Sequence, residues 1–197
     1  LAGGKIRFAS VQDVEKAVAV VDRYYTEGPL ADGEFFVRSL QLLNAAMIMY
    51  ARRKELSALI MYEAGKSLRE AYGDVDEAID FLNFYAREEA RLQSLPYPHH
   101  SRGPVAVIAP WNFPLAIPCG MVSSSLVSGN PVILKSAEQT PLIAQALVDI
   151  LHEAGVPQEA LIHLPGLGEV VGEALVKHPR IAAIVFTGSM AVGSSIY

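Results

Sequence analysis

The sequence is poor in cysteine, in clustered basic residues and in long apolar runs, and each scarcity excludes a class of protein. The single cysteine, Cys119, excludes an internal disulfide framework and suits a reducing compartment such as the cytoplasm. A formal charge of −5 without any basic run argues against nucleic-acid binding. No apolar stretch of membrane-spanning length and no secretory signal is found, so we expect no membrane span. The five histidines lack metal-ligand spacing, so we expect no metal site.

What the sequence does contain is enough apolar material for a sizeable core, since 51% of its 197 residues are hydrophobic. Residues 1–93 are predicted to be helical, and residues 94–104 form a Pro-rich connector or an extended edge segment of the kind used for oligomerisation. From residue 105 to residue 197, strands and helices alternate. Alternation of this kind predicts an α/β fold in which crossover helices connect a parallel sheet.

Apolar periodicity places the helices of the first part. Val11, Val14, Val18 and Val21 recur at spacings of three and four, which predicts one apolar helix face that begins after Ser10 as a cap. The remaining predictions are a loop over 27–33, two helices within 35–64 that break near 52–54, and a long helix over 68–92.

A strand followed by a proline-bounded turn is the most informative local pattern. Residues 105–108 read as a buried strand, and Pro110 and Pro114 bracket the turn that holds Trp111 and Asn112. Open α/β sheets place ligands at such strand ends. An asparagine amide there can donate a hydrogen bond to an oxygen that becomes negative during a reaction. The alternative is a packed tryptophan beside a turn-forming asparagine.

A second strand end carries a lysine and an acid. A β-branched run leads to Lys135, and Glu138 follows as the next helix approaches. A lysine and a carboxylate at this spacing can bracket a ribose, because the acid accepts hydrogen bonds from the ribose hydroxyls. The alternative is a lysine that reaches solvent and a glutamate that caps the helix.

Two glycine-containing turns follow strands later in the chain. A strand over 161–165 leads into Gly166, Gly168, Gly172 and an amphipathic helix, and a strand over 181–186 leads into 187–189 and a further helix. Glycines allow a ligand to approach the backbone, and a helix start offers N–H groups to a phosphate. Each turn by itself could equally be an ordinary connection between a strand and a helix, without a role in ligand binding.

Together and in this order, the motifs resemble the aldehyde dehydrogenase superfamily over essentially the whole chain. The similar segments are Pro-Trp-Asn-Phe-Pro at 110–114, Lys-x-x-Glu-x-Thr-Pro at 135–141 and Phe-Thr-Gly-Ser at 186–189. Segments 63–67 and 75–87 look most like the 1-pyrroline-5-carboxylate dehydrogenase branch, which in bacteria is often fused to proline dehydrogenase. One departure is Ser136, where the family usually has proline, and we expect it to loosen the turn.

The resemblance implies an incomplete Rossmann-like parallel sheet that binds NAD, with the helical N-terminal part of the chain packed on it. In it, Asn112 would hold the oxyanion, Lys135 and Glu138 the adenosine ribose, and Gly188 with Ser189 the pyrophosphate. A carboxylate at Glu138 favours NAD over NADP, since it repels a 2′-phosphate. The predicted coenzyme-binding residues are Ile108, Ala109, Pro110, Trp111, Lys135, Glu138, Gly166, Gly168, Gly172, Phe186, Thr187, Gly188 and Ser189.

The implied reaction is oxidation of an aldehyde, most of all glutamate γ-semialdehyde to glutamate in proline catabolism, by a cytoplasmic homo-oligomer. In this family a cysteine thiolate attacks the aldehyde, a hydride passes to the nicotinamide, and water hydrolyses the thioester. Glu77 and Phe113 are our candidate substrate-side residues, although Glu77 could be a solvated helix acid and Phe113 a core side chain.

Cys119 is not the expected nucleophile, because no charged residue lies between Arg102 and Lys135 to activate it. We therefore expect a coenzyme-side fragment that is inactive by itself, with the catalytic cysteine and general base elsewhere. Two alternatives stay open: a reductase of acyl-phosphates or acyl-CoA with the same fold, and a non-catalytic binding or assembly module.

Overall fold

A computed structural model describes residues 6–28, 35–96 and 99–197 of the chain. Part of the predicted 27–33 loop, and residues 97 and 98 of the predicted connector, lie outside the described residues. In chain order the elements are α1 (Val11–Glu27), α2 (Phe35–Ala51), α3 (Arg53–Ala64), α4 (Leu68–Gln93), β1 (Val105–Ile108), α5 (Ala116–Val127), β2 (Val132–Lys135), α6 (Pro141–Glu153), β3 (Leu161–His163), a π-helical turn (Gly168–Gly172) continuous with α7 (Glu173–Val176), β4 (Ala183–Phe186) and α8 (Met190–Ile196).

Helix α1 begins where its sequence predicts. The Ser10 hydroxyl accepts from the Asp13 amide, and the Asp13 carboxylate accepts from the Ser10 amide, which forms a reciprocal capping box. Three of the four predicted valines are buried along one face. Val11 is not, because it lies in the first turn and remains 51% exposed, and Ala17 takes the fourth buried position.

Helices α2, α3 and α4 confirm the predicted pattern of two helices and one long one. Arg52 separates α2 from α3, as the break near 52–54 predicts. Gly65 ends α3 in the left-handed region (φ +65°), where a residue without Cβ is least strained. A second capping box, between Ser67 and Glu70, then starts α4. No helix in the described parts of the chain is long and apolar enough to cross a membrane.

The sheet has four parallel strands in the order β3-β2-β1-β4. Val105 of β1 lies opposite Val132 of β2 on one side and Ala183 of β4 on the other. The chain moves outward from β1 to β3 and then returns to the other side of β1. The order therefore reverses beside β1, and the carboxyl ends of β1 and β4 form the crevice where open α/β sheets bind ligands.

Each strand contributes side chains to both faces of the sheet, so two apolar layers form. Val107 and Leu134 belong to the larger cluster, which α2–α6 complete. Ala106 and Ile133 point to the smaller cluster, formed with α1, the π-helical turn and α7. Helices α5 and α6 pack directly on one face of the sheet and α1 on the other, while α2, α3 and α4 form an outer layer against α5 and α6. The helical first part is thus packed onto the sheet layer, as the predicted α/β fold class requires.

Two local expectations need correction. The predicted glycine-containing turn over 166–172 is largely helical, because a π-helical turn begins already at Gly168. Within residues 94–96 and 99–104 no strand is formed, so the described part of this segment is a connector. It is held by Asn130, whose side-chain oxygen accepts from the amides of Arg102 and Gly103. The proposed domain boundaries and an oligomerisation role for this segment stay predictions.

Candidate active site

A cleft of about 1040 Å³ opens at the carboxyl ends of β1, β2 and β4. Its walls are the turn after β1, the turn after β2, the π-helical turn with α7, and the β4–α8 turn. This is the position that the strand order predicts for a ligand.

The cleft collects nearly all the residues that the sequence singled out. Asn112 and twelve of the predicted coenzyme-binding residues line it: Ile108, Ala109, Pro110, Trp111, Lys135, Glu138, Gly168, Gly172, Phe186, Thr187, Gly188 and Ser189. Gly166 does not. A Cβ at that position would come within 2.4 Å of Val171 Cγ2, so close packing accounts for this glycine.

The lysine and the acid after β2 form an ion pair inside the cleft. Lys135 Nζ donates to Glu138 Oε1 at 2.7 Å, and the Lys135 side chain is only 5% exposed. Burial acts to raise the pKa of Glu138, but hydrogen bonds from Lys135 and from the amides of Glu138 itself and Gly168 outweigh it and lower the pKa. These hydrogen bonds keep the Glu138 carboxyl group ionised and join the turn after β2 to the π-helical turn.

Glu138 does not cap the following helix, which was the alternative role open to it. Glu63, near the end of α3, accepts from the amides of Leu142 and Ile143 at 2.8 Å each. These amides belong to the first turn of α6. Burial raises the pKa of Glu63, and the two backbone hydrogen bonds oppose that rise. Glu138 is therefore free of the helix-capping role and faces the cleft.

Asn112 lies at the mouth of the cleft on the turn after β1. Its side chain and that of Trp111 are exposed, whereas Pro114 is buried and fixes the end of the turn. Among the described residues, nothing accepts or donates a hydrogen bond to the Asn112 side-chain amide. The amide is available to an oxygen of a bound molecule.

A buried ion pair supports this turn from behind. Asp74 of α4 is 1% exposed, and its Oδ1 accepts from the Ala116 amide at 2.7 Å at the start of α5. Its other oxygen accepts from Lys66 Nζ at 2.8 Å. The Lys66 ammonium also lies 3.9 Å from the centroid of the Phe113 ring. The two ends of the segment 113–116 are therefore tied to α4.

The candidate substrate residues lie outside the cleft lining. Phe113 is 40% exposed and its ring packs beneath Lys66. Glu77 is exposed on α4, and within the described residues no hydrogen bond or ion pair engages its carboxylate. Both substrate assignments stay predictions.

Ser136 does not loosen the β2 turn, contrary to the expectation from its departure from proline. The residue is 1% exposed, and its Oγ lies 2.9 Å from Nε2 of His163 at the end of β3. The turn gains a tertiary hydrogen bond that a proline could not make.

Cys119 is a buried structural thiol, as predicted. It is 0% exposed within α5, and its sulfur donates to the Ala78 carbonyl at 3.5 Å. Burial strongly raises the pKa of this thiol, and the negative charge of Asp74 adds to the effect. Over the described residues, no group of three or more His, Cys, Asp or Glu side chains could hold a metal ion.

Sequence reasoning missed the residues that act through tertiary contacts. Asp74 had a usable signal, since it is a charge on the buried α4 face together with Ala71, Val75 and Ala78. Glu63 and Lys66 gave no such signal beyond their place in the segment 63–67. The cleft also contains Ile117, Ala137, Gln139, Glu169, Glu173, Val176, Lys177, Val192, Ser195 and Ile196, which the sequence did not identify.

Comparison with known proteins identifies the family. Residues 2–197 match the aldehyde dehydrogenase family. The chain belongs to this family. It is 40% identical over 205 residues to a 1-pyrroline-5-carboxylate dehydrogenase of Bacillus cereus, covering 98% of the chain and 39% of that relative.

Two solved structures agree closely with the aldehyde dehydrogenase chain described here. Proline utilization A from Bdellovibrio bacteriovorus superposes with a TM-score of 0.92 at 41% identity, over 98% of this chain and 21% of that one. A variant of Thermus thermophilus 1-pyrroline-5-carboxylate dehydrogenase gives 0.90 at 40% identity, over 96% and 39%. The chain thus spans about two fifths of the length of the dehydrogenases it matches.

Proposed function

We propose that the protein to which this chain belongs is an NAD-dependent aldehyde dehydrogenase that oxidises glutamate γ-semialdehyde to glutamate in proline catabolism. The observation that carries the proposal is the cleft, in which the Lys135–Glu138 pair and the exposed Asn112 amide line one cavity. We infer the substrate from the similar proteins, which are named 1-pyrroline-5-carboxylate dehydrogenase and proline utilization A. A cytoplasmic homo-oligomer remains our prediction for the whole protein.

The cleft fits a dinucleotide in size and in the chemistry of its donors and acceptors. Its volume of about 1040 Å³ lies just above the usual range for small-molecule sites, about 300–1,000 Å³, as a ligand as long as a dinucleotide requires. We assign the adenosine ribose to Lys135 and Glu138, because an ionised carboxylate accepts from two adjacent hydroxyls. Gly188 and Ser189 would lie along the pyrophosphate. The same carboxylate would repel a 2′-phosphate, which favours NAD over NADP.

NAD, when bound, supplies the acceptor for the hydride that leaves the aldehyde carbon. This chain's contribution to the chemistry is Asn112, whose free side-chain amide donates to the substrate oxygen as that oxygen becomes negative. The prolines at 110 and 114 limit movement of the turn, so the donor is in place before the charge develops. Because Cys119 is buried, the nucleophilic thiol is not among this chain's residues.

Coenzyme selectivity tests the ribose assignment in the full-length protein. Glu138→Gln removes the carboxylate, and we expect the Kd for NAD to rise about tenfold to a hundredfold, as for loss of a charged hydrogen bond. Discrimination against NADP should fall. Glu169→Gln is the matched control, since it removes a charge from the same cleft without breaking the pair with Lys135. Equal effects of the two variants would contradict the assignment.

Substrate preference tests the reaction. The full-length protein should form NADH from glutamate γ-semialdehyde with a higher kcat/KM than from pentanal, an unsubstituted aldehyde of similar length. Equal kcat/KM values would refute the assigned substrate and leave the family assignment intact. NAD binding without oxidation of any aldehyde would instead favour a non-catalytic role, and reduction of an acyl-phosphate or acyl-CoA would favour the reductase alternative.

A further inference from the structure

A continuous chain of four side chains runs from behind the coenzyme cleft to the protein surface. Ser136 Oγ lies 2.9 Å from His163 Nε2, and His163 Nδ1 lies 2.8 Å from Gln145 Oε1. Gln145 Nε2 in turn lies 2.8 Å from Asp149 Oδ1. Gln145 and Asp149 are one turn apart on α6, and His163 ends the edge strand β3. This series of hydrogen bonds thus connects the turn after β2, helix α6 and strand β3.

The direction of every hydrogen bond in this chain follows from its surface end. An ionised Asp149 can only accept, so the Gln145 amide nitrogen must face it and the Gln145 oxygen must face His163. His163 Nδ1 therefore donates, and its Nε2 accepts from the Ser136 hydroxyl. Burial lowers the pKa of His163 to about 4, so the imidazole is neutral and has one acceptor nitrogen. The arrangement fixes the Nδ1–H tautomer.

The inner end of the chain lies at the centre of the ribose-binding turn. Lys135, Ala137, Glu138 and Gln139 all line the cleft, whereas Ser136 between them does not. Its side chain is directed instead toward β3, away from the ligand side. The turn is therefore held from the rear by one hydrogen bond at the residue next to Lys135.

We infer that Ser136 and His163 are positioning residues of the coenzyme site, and that His163 does this as the Nδ1–H tautomer selected through Gln145 by Asp149. The inference rests on the proposed NAD site. Without the Ser136 hydroxyl, the turn loses the hydrogen bond that ties its rear side to β3, next to the Lys135–Glu138 pair. Coenzyme binding then has to order the turn, which weakens binding without altering the groups that take part in the reaction.

Binding and kinetics of the full-length protein test the positioning role. Ser136→Ala should raise the Kd and KM for NAD about three- to tenfold, the factor for one buried neutral hydrogen bond, with kcat unchanged. The matched control is Ser57→Ala, which removes another buried hydroxyl, bonded to the Arg53 carbonyl on α3. The control should leave the NAD affinity within about twofold of the wild type. A Ser136→Ala affinity as close as that to the wild type would overturn the inference.

Neutron diffraction from deuterated crystals tests the tautomer without any coenzyme. Deuterium should be found on Nδ1 of His163 in the wild type, and on both ring nitrogens in partial occupancy in Asp149→Asn, because an amide can face Gln145 in either orientation. Deuterium on Nε2 alone in the wild type would refute the fixed direction. If the wild type does not bind NAD, the proposed function fails. Normal wild-type binding with an unaffected Ser136→Ala variant refutes only the positioning role.

Discussion

Removal of the Lys66 ammonium should destabilise the start of α5 far more than loss of an ordinary ion pair. The Asp74 carboxylate that Lys66 contacts is 0% exposed, and the Lys66 side chain is 13% exposed. In Lys66→Met the carboxylate stays buried, and of its two hydrogen-bond partners among the described residues it keeps the Ala116 amide. Breaking a buried pair in this way typically costs about 3–5 kcal/mol. We expect a loss in that range for local opening of α5.

The reciprocal change should cost less, because the charge that it leaves unpaired, the Lys66 ammonium, still reaches solvent and the Phe113 ring, whereas the Asp74 carboxylate is fully buried. Asp74→Asn keeps an oxygen for the Ala116 amide, and Lys66 retains its contact with the Phe113 ring. Loss of one charged hydrogen bond predicts about 1.5–3 kcal/mol. The double variant Lys66→Met/Asp74→Asn should be more stable than Lys66→Met alone, with a coupling of about 1–3 kcal/mol between the two sites.

Hydrogen exchange of the amides at the start of α5, measured by mass spectrometry on the full-length protein, reports this opening free energy. The control is Arg52→Met, which breaks the pair of Arg52 with Glu153 at 2.6 Å, where both side chains are more than 40% exposed. A surface pair is worth about 0–1 kcal/mol, so exchange at α5 should not change. The reasoning is refuted if Lys66→Met exchanges no faster than Arg52→Met, or if the double variant exchanges faster than Lys66→Met.

Three further outcomes follow from the site. Asn112→Ala should lower kcat of the full-length enzyme by about 10²–10³ with little change in the Kd for NAD, as expected for one oxyanion donor; normal turnover with weak NAD binding would reassign Asn112 to the coenzyme. Cys119 should resist alkylation by iodoacetamide until the protein unfolds, because burial raises the pKa of its thiol; rapid labelling of the native protein would contradict its placement. Burial lowers the pKa of His163 from 6.5 to about 4. As the pH falls from about 6.5 to about 4, His163 of the unfolded chain therefore binds a proton, whereas His163 of the folded chain stays neutral. Stability relative to His163→Asn should therefore drop by roughly 3 kcal/mol between pH 7 and pH 4, and a pH-independent difference in urea midpoint between the two would rule this out.

Local patterns were sufficient for the elements and for most of the cleft. The apolar run before Pro110 and the one before Lys135 became adjacent parallel strands, and their carboxyl ends brought Asn112 and Glu138 to one cavity. Periodicity gave the bounds of α1 and α4 to within a residue or two, and the Ser10 cap gave the start of α1, because capping is a local interaction.

The supporting contacts could not be predicted in the same way, because they join residues far apart in the chain. Asp74 reaches Ala116, Glu63 reaches Leu142, and Ser136 reaches His163 only after the helices and strands have packed. The π-helical turn at Gly168 was missed for a related reason. Glycines favour a loop by local propensity, but packing of Val171 into the core between the sheet and α1 favours helix.

A crystal structure of the full-length protein with NAD tests the central claim most directly. The account predicts the adenosine ribose hydroxyls within hydrogen-bond distance of Lys135 Nζ and the Glu138 carboxylate, the pyrophosphate beside Gly188 and Ser189, and the nicotinamide end near Asn112. NAD bound outside this cleft, or within it with the ribose away from Glu138, would contradict the account.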